Sequence, residues 1–156
     1  MSDCNPVTTP IERDPYFGKA DIKTIENVPY REAVGALAYL MVGTRPDIAY
    51  AVGVVSRKLE SPSKEDWLRV KRILRYIKGT RCYLIKYKAG HLPGVLEGFS
   101  DADHGGDHDT GRSTTGVTCR YSGGVISWIS QRQASVAIST TEAELVAASE
   151  GARELV

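Results

Sequence analysis

At Gly79 the spacing of apolar residues changes, and the change divides what this chain can build. Before it, apolar residues recur every three or four positions. Ala33, Leu37, Leu40 and Met41 form one set. Ile48, Val52, Val55 and Leu59 form a second, and Trp67, Val70, Leu74 and Ile77 a third. That is the helical period, and it predicts three short amphipathic helices. Pro29 and Pro46 stand where a first helical residue tolerates proline, and Gly43 and Gly79 where helices end. Ser63 followed by Asp66 marks the start of the third helix.

After Gly79 the period falls to two. Tyr83, Ile85 and Tyr87 alternate with Leu84 and Lys86, and a second apolar run goes from Val95 to Asp101. Val117, Cys119 and Tyr121 alternate with Thr118 and Arg120. Ser122-Gly123-Gly124 then turns the chain back into Val125–Ser130, so a β-hairpin is expected. A short strand at Ser135–Ser139 is expected to lead into a last helix with Leu145, Ala148, Ala152 and Leu155 on one face. The fold class is α/β. Residues 1 to 28, punctuated by Pro6, Pro10 and Pro15, read as an extended tail; residues 29–90 read as a helical segment and 95–156 as the sheet-bearing domain.

With 156 residues, 42% of them hydrophobic, the chain can bury a core in one domain or in one and a half small ones. The net charge of +1 hides an uneven distribution. Arg69, Lys71, Arg72, Arg75 and Lys78 crowd one helix, whereas Glu97, Asp101, Asp103, Asp107 and Asp109 crowd the next segment. A basic half beside an acidic pocket suits a protein that grips a polyanion, with Arg69, Arg72, Arg75 and Lys78 as nucleic-acid contacts. A solvated helix face beside a polar loop is the plainer account of the same charges. Cys4, Cys82 and Cys119 are too scattered for a disulfide framework or a CxxC metal site, which fits an intracellular protein, cytoplasmic or nuclear. No signal peptide is visible and no run approaches a membrane span, so no membrane partner is expected.

The acidic stretch Asp101-Ala102-Asp103-His104-Gly105-Gly106-Asp107-His108-Asp109 has three readings. As an EF-hand it fails at the twelfth position, where Arg112 stands in place of a bidentate glutamate. As a zinc site it offers His104 and His108, but two glycines between them argue against a shared helix face, and no third soft ligand lies near. The third reading takes Asp101 alone, at the end of a strand where solvent and substrate reach it, as a metal ligand. Asp107 and Asp109 are assigned to turn chemistry. The second carboxylate lies at the start of the last helix. Ser139-x-x-Glu142 and Thr141-x-x-Glu144 each fit a capping box, so one glutamate caps while the other is available, and spacing does not choose between them.

Several stretches resemble, in order, the end of a copia-type LTR retrotransposon Pol polyprotein. They are Pro29–Gly35, Thr44-Arg45-Pro46-Asp47-Ile48, Val70–Thr80, Ser100-Asp101-Ala102-Asp103, Ser113–Gly116, Ile126-Ser127-Trp128 and Ser139–Glu144. The tail resembles it too, through Pro6-Val7-Thr8-Thr9-Pro10. The resemblance implies a segment following the reverse transcriptase, then a truncated ribonuclease H-like fold: three antiparallel strands and a helix, with the remaining strands missing. It implies that Asp101 and Glu144 (not Glu142) are catalytic metal ligands. Two Mg²⁺ ions about 3.5–4 Å apart would serve cleavage of the RNA strand of an RNA–DNA hybrid. Family members often carry an aromatic residue where this chain has His104.

The family's third metal-binding aspartate would follow Val156. The chain is therefore expected to be a fragment of a ribonuclease H-type hydrolase, inactive alone, whose partners are the rest of the polyprotein and a nucleic acid. An open sheet edge is expected to leave it marginally stable and prone to aggregate. Two rival readings are a catalytically dead nucleic-acid-binding or interaction module and a nonfunctional relic.

Overall fold

The computed structural model describes residues 3–12, 25, 27–90 and 94–156. The chain divides into two units, Met1–Leu84 and Ile85–Val156. The expected tail lies largely outside the described residues, but its segment 3–12 is described and belongs to the first unit.

The first unit holds the three expected helices: α1 (Tyr30–Thr44), α2 (Ala49–Ser56) and α3 (Lys64–Gly79). Pro46 opens a single 3-10 turn, Pro46–Ile48, ahead of α2. The core is Val34, Leu37, Ile48, Val52, Val55, Val70 and Ile73, with Tyr30 and Tyr76 at its margin. Each such side chain contributes about 1.5–3 kcal/mol on burial. On α3 the stripe is Val70, Ile73 and Tyr76; Trp67, Leu74 and Ile77 pack beside it, half-buried. The expected face was thus right at Val70 and rotated elsewhere. Tyr76 can face inward because its hydroxyl donates to Asp47 at 2.8 Å.

α3 begins as its sequence predicts. The Ser63 hydroxyl accepts from the Asp66 backbone N–H, and the Asp66 carboxylate accepts from the Ser63 N–H, closing a capping box.

One ionic cluster ties the turn before α2 to the end of α3. Buried Arg45 donates from Nε and Nη2 to both oxygens of Asp47, at 2.8 and 2.7 Å. It donates also to the Thr80 hydroxyl at 2.6 Å and the Thr80 carbonyl at 3.3 Å, and its guanidinium lies over the Tyr76 and Tyr83 rings. Burial pushes the Asp47 carboxyl up, but hydrogen bonds from Arg45 and Tyr76 outweigh it and hold the group below the usual range.

The second unit is a three-stranded antiparallel sheet with one helix. β1 (Leu96–Ala102), β2 (Thr114–Tyr121) and β3 (Gly124–Arg132) lie in the order β1-β2-β3, followed by α4 (Thr140–Glu154). Ser122 and Gly123, both at positive φ, make the tight hairpin turn between β2 and β3. Two expected strands are absent. Tyr83–Tyr87 forms no ladder: the Lys88 N–H reaches the Ser122 carbonyl, and the Tyr87 hydroxyl donates to the Val125 carbonyl. Ser135–Ser139 is irregular, because its backbone turns directly into the α4 cap.

The face of α4 is also corrected. Leu145 is 66% exposed, and the residues against the sheet are Ala143, Ala147 and Gly151. The larger side chains dominated the pattern, but only the small ones let the helix backbone come close.

Replacing Arg45 with Met is expected to cost about 3 kcal/mol at neutral pH, because Asp47 and Thr80 lose their donor in a partly desolvated site. Asp47 has a depressed native pKa, so its share of the stability is present above the unfolded carboxylate value and vanishes as pH falls through the native one. Urea unfolding of native and variant chains should accordingly show a gap that narrows in acid.

Candidate functional site

Asp101 is the penultimate residue of β1, paired with Gly116 on β2, and its side chain is exposed. β1 ends the strand order, so among the described residues one side of it has no neighbouring strand. The acids that follow Asp101 serve the loop. The Asp103 carboxylate accepts from the Thr114 N–H, and a Cβ at Gly106 would collide with that carboxylate. Buried Asp107 accepts from the Asp109 N–H at 3.2 Å and forms an ion pair with Arg132. The Gly105 N–H donates to the Ser113 hydroxyl. Asp103 and Asp107 therefore hold the hairpin base in shape.

The start of α4 separates the two glutamates. The Ser139 hydroxyl accepts from the Glu142 N–H at 3.1 Å, and the Glu142 carboxylate accepts from the Ile138 N–H at 2.8 Å. Glu142 is thus engaged at the cap, whereas Glu144 is exposed and pairs with nothing among the described residues.

α4 runs back along β1. A Cβ at Gly151 would lie 3.2 Å from the Ser100 Cβ, and one at Gly98 would meet the Leu155 side chain. At the other end, buried Gln133 donates from Nε2 both to the Thr115 hydroxyl at 3.1 Å and to the Ala143 carbonyl at 3.0 Å. Thr115 pairs with Ala102, the neighbour of Asp101, and Ala143 is the neighbour of Glu144. Gln133 therefore links Thr115, the strand partner of the residue beside Asp101, to the residue beside Glu144. No sequence pattern singled it out, since an isolated glutamine after a strand carries no periodic signal.

Asp101 does not leave β1 on the side that faces the helix carrying Glu144. Gly98 and Ser100 face α4, so alternation puts Asp101 with Glu97 and Phe99 on the other side of β1, where the Arg120 guanidinium lies over the Phe99 ring. Two hard oxygen donors suit Mg²⁺, but among the described residues no cluster of three or more His, Cys, Asp or Glu is placed to hold a metal. The donors fit a partly hydrated ion, not a complete two-ion site.

The basic face of α3 is built in the first unit and is already engaged. Arg69 pairs with Asp66 at 2.9 Å, and Arg72 with Glu12 at 2.7 Å and the Thr9 hydroxyl at 3.0 Å. Arg75 donates to the Asn5 carbonyl at 2.7 Å, and Lys78 to the Cys4 carbonyl at 2.8 Å. No helix among the described residues is long and apolar enough to cross a membrane.

Helices, then a three-stranded antiparallel sheet, then a helix define an α/β chain consistent with a partial ribonuclease H-like fold. No family model matches the sequence, and no solved structure matches it either. Curated relatives do. The chain is 47% identical over 163 residues to the retrovirus-related Pol polyprotein from transposon TNT 1-94 of Nicotiana tabacum; the match takes in all of this chain and 12% of that protein. It is 41% identical over 145 residues to the retrovirus-related Pol polyprotein from transposon RE1 of Arabidopsis thaliana, covering 92% of this chain and 10% of that one. It is also 47% identical over 133 residues to the secreted RxLR effector protein 161 of Plasmopara viticola, covering 85% of this chain and 92% of that protein. The chain belongs to the copia-type retrotransposon Pol polyprotein family. It is a fragment of such a polyprotein, spanning about a tenth of the transposon proteins' length.

Changing Gln133 to Leu should lower stability by roughly 1–3 kcal/mol, because the Thr115 hydroxyl and the Ala143 carbonyl lose a buried donor. Hydrogen exchange should quicken at the first turn of α4 while the β2–β3 ladder stays protected.

Proposed function

We propose that this segment supplies two of the carboxylates of a ribonuclease H-type site that the longer polyprotein completes. The observation that carries the reading is the placement of Asp101 and Glu144. Both are exposed, and Gln133 links Thr115, the strand partner of the residue beside Asp101, to the residue beside Glu144. The acids around them are engaged elsewhere, Glu142 at the helix cap and Asp103 and Asp107 in the loop.

In this reading Asp101 and Glu144 hold Mg²⁺ beside the open edge of β1. Bound Mg²⁺ would supply activation of water and charge stabilisation at the scissile phosphate. The remaining work falls to the chain itself. The rigid β1–β2 ladder fixes Asp101, and the capped, sheet-seated α4 fixes Glu144. The substrate is the RNA strand of an RNA–DNA hybrid, selected by 2′-hydroxyls that DNA lacks. Arg69, Arg72, Arg75 and Lys78 are the phosphate contacts in this reading; they would position the duplex without reading its sequence. With two carboxylates and no third ligand gathered among the described residues, the 156-residue chain alone is expected to be inactive.

The test is hybrid cleavage in Mg²⁺ by a Pol polypeptide long enough to complete the site. Asp101→Asn and Glu144→Gln should each lower kcat by on the order of 100-fold or more, with binding of the hybrid retained. Glu142→Gln should leave kcat near the native value and reduce only stability. Equal activity in the Asp101 and Glu144 variants would remove the nuclease assignment.

A further inference from the structure

Three of the four cations assigned to phosphate contact, Arg72, Arg75 and Lys78, are contacted by residues from the first part of the chain. Over residues 4–12 the strap runs along α3, giving Arg72 the Glu12 carboxylate and the Thr9 hydroxyl, Arg75 the Asn5 carbonyl and Lys78 the Cys4 carbonyl. Val7 and Ile11 tuck against the helical core. Pro6 lies over Gly79, so close that a Cβ there would stand 2.9 Å from the Pro6 Cβ. The absence of a side chain at Gly79 is what lets the strap lie flat.

The strap satisfies this face incompletely. Residues 4–12 hold one acid, Glu12, against Arg72, Arg75 and Lys78. Beyond Glu12, Arg72 meets only a neutral hydroxyl at Thr9 and Arg75 a neutral carbonyl at Asn5. Among the described residues, the buried Arg72 Nε has no acceptor. A guanidinium with an unmet donor favours an anion with more oxygens. Single exposed ion pairs contribute little, so the strap is held weakly at its charged contacts.

We propose that residues 4–12 are a displaceable strap that competes with a nucleic-acid backbone for the cationic face of α3, so that the duplex gains this face only when the strap leaves. The inference rests on the nucleic-acid reading above and adds to it a gate. A phosphate backbone carries a charge at every nucleotide and outbids the one carboxylate, the hydroxyl and the carbonyl that Arg72 and Arg75 meet in the strap. Low salt and a long duplex therefore favour the open form.

The experiment uses the full chain and a fluorescent RNA–DNA hybrid at low salt. Gly79→Ala places a methyl group under Pro6 without altering any charge, and Glu12→Gln with Thr9→Ala loosens the strap without touching α3. If the strap is closed about nine-tenths of the time, both variants bind up to roughly tenfold tighter than the native chain. Amides of residues 4–12 in the native chain then exchange faster when the hybrid is added, and Arg72→Ala with Arg75→Ala abolishes the gain. Unchanged affinity in both strap variants, with binding still lost on removing Arg72 and Arg75, overturns the gate and leaves the nucleic-acid reading intact. Binding that ignores Arg72 and Arg75 altogether removes α3 as the nucleic-acid face, and the gate with it.

Discussion

The seating of α4 on β1 and β2 depends on side chains too small to hold the surfaces apart. Ala143, Ala147 and Gly151 let the helix backbone approach until Gly151 touches Ser100 and Val117, and Gly98 makes room for Leu155. Close approach brings the Ala143 carbonyl within reach of Gln133, which also holds Thr115. From that contact follows the seating of the first turn of α4 on the sheet. Bulkier residues in the same stripe would keep the helix amphipathic but hold it away from the sheet.

The charged residues divide their labour by burial. Where an acid is buried it is paired: Asp66 with the α3 cap and Arg69, Asp107 with Arg132. Uncompensated burial of such groups is costly, so they serve structure. Asp101 and Glu144 are among the acids that have no partner among the described residues, and both are exposed. The cations follow the same logic. Arg45 is buried and spent on Asp47 and Thr80, while the α3 cations lie at the surface under a strap made largely of neutral acceptors. Function is left to the charges that folding does not consume.

Much of the architecture was legible from spacing. Three helices, the Ser63–Asp66 cap and the β2–β3 hairpin are local features, set by period and turn chemistry within a few residues. The misread elements needed information from afar. Tyr83–Tyr87 has the alternation of a strand but no ladder partner; the hairpin is reached only by the Tyr87 hydroxyl and by the backbone N–H of the following Lys88. Leu145, Ala148 and Ala152 make an apolar face of α4, yet the sheet takes the opposite, smaller one. Both capping boxes fit the sequence; the Ile138 and Ser139 hydrogen bonds show that Glu142 is the glutamate engaged at the cap.

The sequence by itself determined where the four helices and the β2–β3 hairpin lie, which residues are acidic or basic, and which family the chain resembles, because each is written in neighbouring residues. Tertiary structure decided what those residues face. It turned Asp101 away from α4 on the open edge, gave Gln133 its bridge, and laid residues 4–12 across the cations of α3. The reason is physical. Period and capping act over one or two turns of chain, whereas burial and pairing are settled between segments up to 74 residues apart, as at Cys4 and Lys78.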